Sequence, residues 1–176
     1  MIVYFLRHAN AGERKFDPAQ DDKRQLDQLG IEQSHSVGRA LASLKVRVDA
    51  IISSPLPRAA QTAAIVSQEL GHEEKVVIDD AMSPAGDYEA FRAMLTRLNR
   101  HKAILVVGHN PNQSEFLNRF LAVNGASLID LKKGAVAKVE KQGRRPPQLK
   151  WYVTPKFVGA LQQASAKSSR AKTVLK

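Results

Sequence analysis

A chain of 176 residues with 43% hydrophobic content is long enough to bury a real core as one domain and too apolar to be mainly disordered. No apolar run approaches the roughly 20 residues that cross a bilayer, and the first run, Ile2 to Leu6, stops at Arg7 with no basic residue before it. Neither a membrane span nor a signal-peptide core is expected, the cytoplasm is the default location, and the lack of cysteine excludes disulfides, thiolate metal sites and thiolate nucleophiles. Charge is unevenly placed. Residues 1–129 hold 15 Lys and Arg against 15 Asp and Glu, whereas residues 130–176 hold 12 against 2, so the whole +10 excess lies in the last quarter. That pattern describes a neutral body with a basic C-terminal region. It makes nucleic acid an unexpected partner; the 130–176 region reads as a solubilising surface and frayed tail, with docking on an acidic partner as the alternative.

From residue 2 to about 155, short β-type runs alternate with helical stretches, which predicts an α/β domain built as a three-layer α/β/α sandwich on a mostly parallel sheet. The first strand is Ile2–Leu6. Asp27 then caps a helix expected to carry Ile31, Val37, Leu41 and Leu44 inward. Ala50–Ile52 is the second strand, and an Ala-rich helix follows from about Pro57 to Leu70, stopped by Gly71. After the third strand, Val76–Ile78, Asp87 opens a helix whose apolar residues Tyr88, Phe91, Leu95 and Leu98 recur at spacings of three, four and three. Ala103–Val107 reads as a strand covered on both faces. A helix over about Asn112–Val123 offers Phe116, Leu117, Phe120 and Leu121. Ala135–Glu140 alternates as a half-exposed edge strand does, and Leu149–Val153 carries the only Trp. The domain is expected to span residues 1–161, and residues 162–176, polar, small and basic, are expected to be disordered.

Three of these strands run straight into polar residues: the first into Arg7-His8, the second into Ser53-Ser54-Pro55 with Arg58 beyond, the fourth into Gly108-His109-Asn110. In an open parallel sheet, ligands bind beyond the carboxyl ends of the strands, so these groups can converge there. Two imidazoles and two guanidiniums, with helix N-termini behind Pro57 and Pro111, suit a phosphoryl group better than a carboxylate or a neutral substrate. The chain has no G-x-x-x-x-G-K-[ST], no G-x-G-x-x-G, no G-x-S-x-G, and no H-x-H or H-E-x-x-H. Nucleotide binding is therefore a minor option, and neither a metal nor a cofactor is expected. Covalent acceptance of a phosphoryl group is left to an oxygen or an imidazole nitrogen, and His8 becomes the candidate nucleophile. Ser53 and Ser54 read as turn or cap residues, and His35, His72 and His101 as surface residues.

Leu6-Arg7-His8-Ala9 resembles the R-H-G/A signature of the histidine phosphatase superfamily, whose fold is phosphoglycerate mutase-like. Ser53-Ser54-Pro55-Leu56-Pro57-Arg58-Ala59-Ala60-Gln61-Thr62 is similar to its second motif, S-P-x-x-R-x-x-Q-T, and Val107-Gly108-His109-Asn110-Pro111 to its third. Arg24-Gln25-Leu26-Asp27-Gln28-Leu29-Gly30 resembles the R-x-L-x-x-x-G before the first long helix, and Ser83-Pro84-Ala85-Gly86-Asp87 the P-x-G-D before the third. The likeness covers about residues 1–155 and lies nearest the small phosphohistidine phosphatases of the SixA type. It implies that His8 is phosphorylated transiently, that Arg7 and Arg58 clamp the phosphoryl oxygens, and that His109 completes the phosphate-binding pocket. It also implies a phosphohistidine-containing protein as substrate, with a role in signal transduction. The rival expectations are a small-molecule phosphomonoesterase or mutase on the same scaffold, and a non-enzymatic anion-binding module. Ala9 stands where Gly is commoner, and no general acid is assigned; Glu13, Asp79, Asp80 and Asp87 are the candidates, with Asn10 and Glu13 placed to touch substrate.

Overall fold

A computed structural model describes residues 1–121 and 128–173, with side-chain surroundings as far as residue 164. In chain order the elements are β1 (Ile2–Arg7), α1 (Pro18–Asp22), α2 (Gln28–Ser43), β2 (Ala50–Ser53), α3 (Pro57–Leu70) and β3 (Val77–Ile78). A 3-10 turn (Asp80–Met82) follows, then α4 (Tyr88–Arg97), β4 (Ala103–Gly108), α5 (Asn112–Phe120), β5 (Val136–Glu140), β6 (Gln148–Val153) and α6 (Pro155–Thr173). One six-stranded sheet runs in the order β3-β2-β4-β1-β5-β6. Its first four strands pair in parallel, while β5 and β6 complete it antiparallel.

The layers follow from side-chain alternation along the strands. Val3, Phe5, Ile52, Ile104 and Val106 face α4 and α5, which bring Phe91, Met94, Phe116 and Leu117. Tyr4, Leu6, Ile51, Leu105 and Val107 face α2 and α3, which bring Val37, Leu41, Ala59, Ala63 and Val66. Strand β4, at the centre, is buried along its full length, as its uninterrupted apolar run requires.

The buried face of α2 departs from the expected stripe. Val37 and Leu41 point inward, but Ile31 and Leu44 are exposed, and Gly30, Ser34 and Gly38 take the inner positions instead. Close approach decides this, since a Cβ on Gly38 would lie 2.7 Å from the Glu69 Cβ of α3, and one on Gly30 would lie 1.8 Å from the Asn10 carbonyl oxygen. Gly71 ends α3 in the left-handed conformation at φ 62°, a geometry glycine adopts without strain. The short α1, begun by Asp17 and Pro18, and the 3-10 turn are too brief for periodicity to show. Helix α5 stops at Phe120, and Val123 lies outside the described residues.

Helix α6 begins at Pro155, crosses residue 161 and runs to Thr173. The Thr154 Oγ1 accepts the Phe157 N–H at 3.2 Å, Val158 is buried, and no Pro or Gly follows Gly159 to break a run of good helix formers. His35, His72 and His101 are partly exposed; His35 Nδ1 lies 2.7 Å from Glu69 Oε1. No described helix is long and apolar enough to cross a membrane.

Candidate active site

The strand register assembles the site. Arg7 of β1 pairs with Gly108 of β4, and Ser53 of β2 pairs with Val107, so His8, Ser54 and His109 leave the sheet side by side at its carboxyl edge. Two further backbone bonds extend the ladders past the strand ends: His8 N–H to Gly108 O and Ser54 N–H to Val107 O, each 3.0 Å. The His8 and His109 ring centroids are 5.0 Å apart. The four residues expected to form the site, Arg7, His8, Arg58 and His109, all line one groove of about 360 Å³.

His8 is 6% exposed and its Nδ1 lies 2.7 Å from the Ala9 carbonyl oxygen. A carbonyl only accepts, so Nδ1 carries the proton and Nε2 keeps its lone pair. Burial, with Arg58 and Arg7 nearby, lowers the His8 pKa to about 3, so the imidazole is neutral at pH 7. His109 is lowered to about 2 by burial and by the neighbouring His8 and Arg58. Its Nε2 is 2.8 Å from Ser54 Oγ, which also accepts the Leu56 N–H at 3.2 Å. When the Ser54 hydroxyl donates to Nε2, the His109 proton sits on Nδ1, the ring nitrogen left to act as a donor. Ser54 thus holds a site residue, a role that its position in a turn motif did not reveal.

The loop after His8 is fastened from two sides. On one, Ala9 N–H donates to Thr62 Oγ1 at 3.1 Å, and the Thr62 hydroxyl donates to the Arg58 carbonyl at 2.7 Å. Gln61 Oε1 accepts the Leu26 N–H at 2.8 Å, so the Gln and Thr of the second motif tie segments together rather than face the groove. On the other side, Asp27 caps α2 through Gly30 N–H at 2.8 Å while its second oxygen accepts Asn10 Nδ2 and Gly12 N–H. Ala9 does not take a positive φ, which is why alanine serves there.

Cations dominate the groove: Arg7, Arg14, Arg24, Arg58 and Lys133 line it with only Asp21 and Asp22 against them. Arg7 Nη1 donates to Leu131 O at 2.8 Å, and Arg58 Nη1 to Asp21 O at 2.8 Å. Asp21 grips Arg24 through both carboxylate oxygens, at 3.0 and 3.2 Å, and also accepts the Lys15 N–H at 2.9 Å. Arg24 first, through its hydrogen bond, holds the Asp21 carboxyl down at about 2, so Asp21 stays ionised. Lys133 Nζ donates to Asn10 Oδ1 at 2.8 Å. Three buried polar atoms of the site, Arg7 Nε, Arg58 Nε and His109 Nδ1, have no hydrogen-bond partner among the described residues. Unmatched buried donors are costly, so a tetrahedral anion with several acceptor oxygens complements this arrangement.

Asp21, Arg24 and Lys133 were not foreseen as site residues. The Arg24 motif was visible, with Asp21 three residues before it, a helical ion-pair spacing; Lys133 has no local signal. Of the acids singled out in the sequence, Glu13, Asp79, Asp80 and Asp87 do not line the groove. Asp79 caps the 3-10 turn and pairs with Arg97 at 2.6 Å, and Asp87 caps α4. Among the described residues, no group of three or more His, Asp or Glu is placed to hold a metal ion.

Residues 3–90 match the model of the histidine phosphatase superfamily (branch 1). An uncharacterized protein of Picosynechococcus sp. is 32% identical over 139 residues, covering 77% of this chain and 82% of that protein. The chain belongs to the histidine phosphatase superfamily. Within it, the phosphohistidine phosphatase SixA of Escherichia coli is 29% identical over 113 residues, 63% of this chain and 68% of SixA. A solved structure of the protein histidine phosphatase SixA with tungstate superposes with a TM-score of 0.77 at 24% identity, covering 88% of this chain and 97% of that one. The fold is therefore the phosphoglycerate mutase-like α/β fold, and the membership places the chain among the phosphatases.

Proposed function

We propose that this phosphatase removes the phosphoryl group from phosphohistidine in a protein, through a covalent intermediate on His8. The observation that carries the reading is the His8 imidazole, neutral, with Nδ1 engaged by the Ala9 carbonyl, Nε2 left as the nucleophile, and both arginines of the motifs around it. His8 Nε2 attacks phosphorus as the bond to the substrate imidazole breaks. Arg7 and Arg58 bind the non-bridging oxygens, and a proton on His109 Nδ1 stabilises the charge in flight. Water then attacks the phosphoenzyme, the His8 N–P bond breaks, and phosphate leaves. The basic region and the cationic groove favour an acidic protein partner.

Leaving-group chemistry supports phosphohistidine over alkyl phosphates. With its other ring nitrogen protonated, the substrate imidazole leaves neutral, as the conjugate base of an acid of pKa about 6.5, whereas an alkoxide leaves about as basic as hydroxide and needs a positioned acid. Asp21 cannot be that acid, since Arg24 keeps it ionised. Asp22 supports the rival reading, a small-molecule phosphomonoesterase or mutase, because it lines the groove without an ion-pair partner among the described residues. The test compares kcat/KM on a phosphohistidine protein with that on glycerol phosphate. A preference for phosphohistidine of about 10²-fold or more, the span of one general acid, agrees with the proposal. Comparable values, abolished by Asp22→Asn, assign the chain to phosphomonoesters.

A further inference from the structure

Beside the catalytic groove, and sharing Arg14, Asp21 and Asp22 with it, lies a second cleft of about 450 Å³ completed by Lys15, Phe16 and Pro18. Phe16 is fully exposed, an unusual state for a side chain of that size. It is held there by its neighbours. The Lys15 N–H is bound to Asp21 Oδ1 at 2.9 Å, and Asp17 caps α1 through the Ala19 N–H at 3.0 Å, so the backbone on both sides of Phe16 is fixed. Asp21, which anchors this loop, is also the residue that grips Arg24 and bonds to Arg58. The loop's position is therefore coupled to the site.

We infer that Phe16 and Pro18 form a docking subsite for the segment flanking the phosphorylated histidine of a protein substrate, an apolar side chain packing on the ring while carboxylates face Arg14 and Lys15. This rests on the phosphohistidine reading and adds to it the surface that selects the protein. Two observations identify the occupant: the cleft is continuous with the groove that takes the phosphoryl group, and the two together present Arg7, Arg14, Lys15, Arg24, Arg58 and Lys133 against two carboxylates. A substrate chain leaving the groove over this cleft meets positive charge and one exposed aromatic ring, the kind of residue that anchors interfaces.

The experiment measures wild type, Phe16→Ser, Phe16→Trp and Lys15→Glu on two substrates: free phosphohistidine, and a phosphohistidine peptide with acidic and leucine flanks. Neither residue lines the groove, and the Lys15 bond to Asp21 runs through the backbone, which the substitutions keep, so turnover of free phosphohistidine is expected to stay unchanged in all three variants. On the peptide, Phe16→Ser is expected to raise KM about 10-fold with kcat kept, matching the burial of one aromatic side chain. Phe16→Trp should restore it, and Lys15→Glu should raise KM and flatten its salt dependence. An unchanged peptide KM in Phe16→Ser overturns the inference, as does an equal loss on both substrates, which would make Phe16 a support of the site itself. Self-association abolished by Phe16→Ser without a KM effect would give the cleft to a second copy and likewise overturn it. A wild type inactive on both substrates overturns the phosphohistidine reading, and the docking subsite with it, before any variant is compared.

Discussion

At the scale of single residues, the site is defined by two imidazoles kept neutral by burial and by surrounding guanidiniums. His8 and His109 protonate near 3 and 2 in the folded chain, against about 6.5 when unfolded. The folded state therefore binds fewer protons, and the stability tied to both residues is complete above about pH 6.5 and is lost as pH falls toward 3. The slope is at most about 1.4 kcal/mol per pH unit for each ring. Denaturant unfolding between pH 7 and 4 should show a shallower loss for a His8→Asn, His109→Asn double variant than for wild type; equal slopes would contradict the burial argument. Ser54 makes a separate prediction. Removing its hydroxyl leaves His109 free to adopt either tautomer, so Ser54→Ala should lower kcat about 10-fold, the worth of one hydrogen bond, with KM little changed. A variant that loses KM alone would show that Ser54 does not act through His109.

At the scale of elements, the helix caps show which parts of the fold serve the site. Asp27 and Asp87 both cap helices, α2 and α4, through the same kind of bond. Asp27 in addition holds Asn10 and Gly12, the loop that follows His8. Either substitution to Ala should cost about 1 kcal/mol of helix capping. Activity should separate them: Asp87→Ala keeps kcat, and Asp27→Ala lowers it beyond any loss of folded protein, as read from thermal melts beside steady-state rates. Much of this was legible in the sequence. β1, β2 and β4 could be read from apolar runs, because a buried parallel strand has little choice of residue, and β5 from its alternation; Arg7-His8 and His109 follow two of those runs and Arg58 opens the helix after the third. The inner face of α2 was not legible, since apolar spacing favoured Ile31 and Leu44 while the contact is made by Gly30 and Gly38, whose signal is the absence of a side chain. Asp21 and Lys133 were missed because their roles depend on loops brought together only by the fold.

For the whole molecule, the charge asymmetry and the chemistry occupy different parts of the chain. The groove draws on residues 7–133, whereas most of the basic excess lies beyond, in residues 134–176. Helix α6 is anchored near its start by Val158 and by a 3.1 Å bond from Ser36 to Gln162. Deleting residues 165–176 should therefore leave the melting temperature and the turnover of free phosphohistidine nearly unchanged, while reducing the salt-sensitive association rate with an acidic protein. A truncated chain that unfolds would show that the last turns of α6 pack on the body. The central claim is the covalent step, and rapid-quench trapping with phosphohistidine substrate, followed by mapping of the labelled peptide, tests it most directly. The account predicts a phosphoryl group on His8, labile in acid as a phosphoramidate is, and absent from His8→Ala; a label on Ser53, Ser54 or a carboxylate, or turnover with no trapped phosphoenzyme, would contradict it.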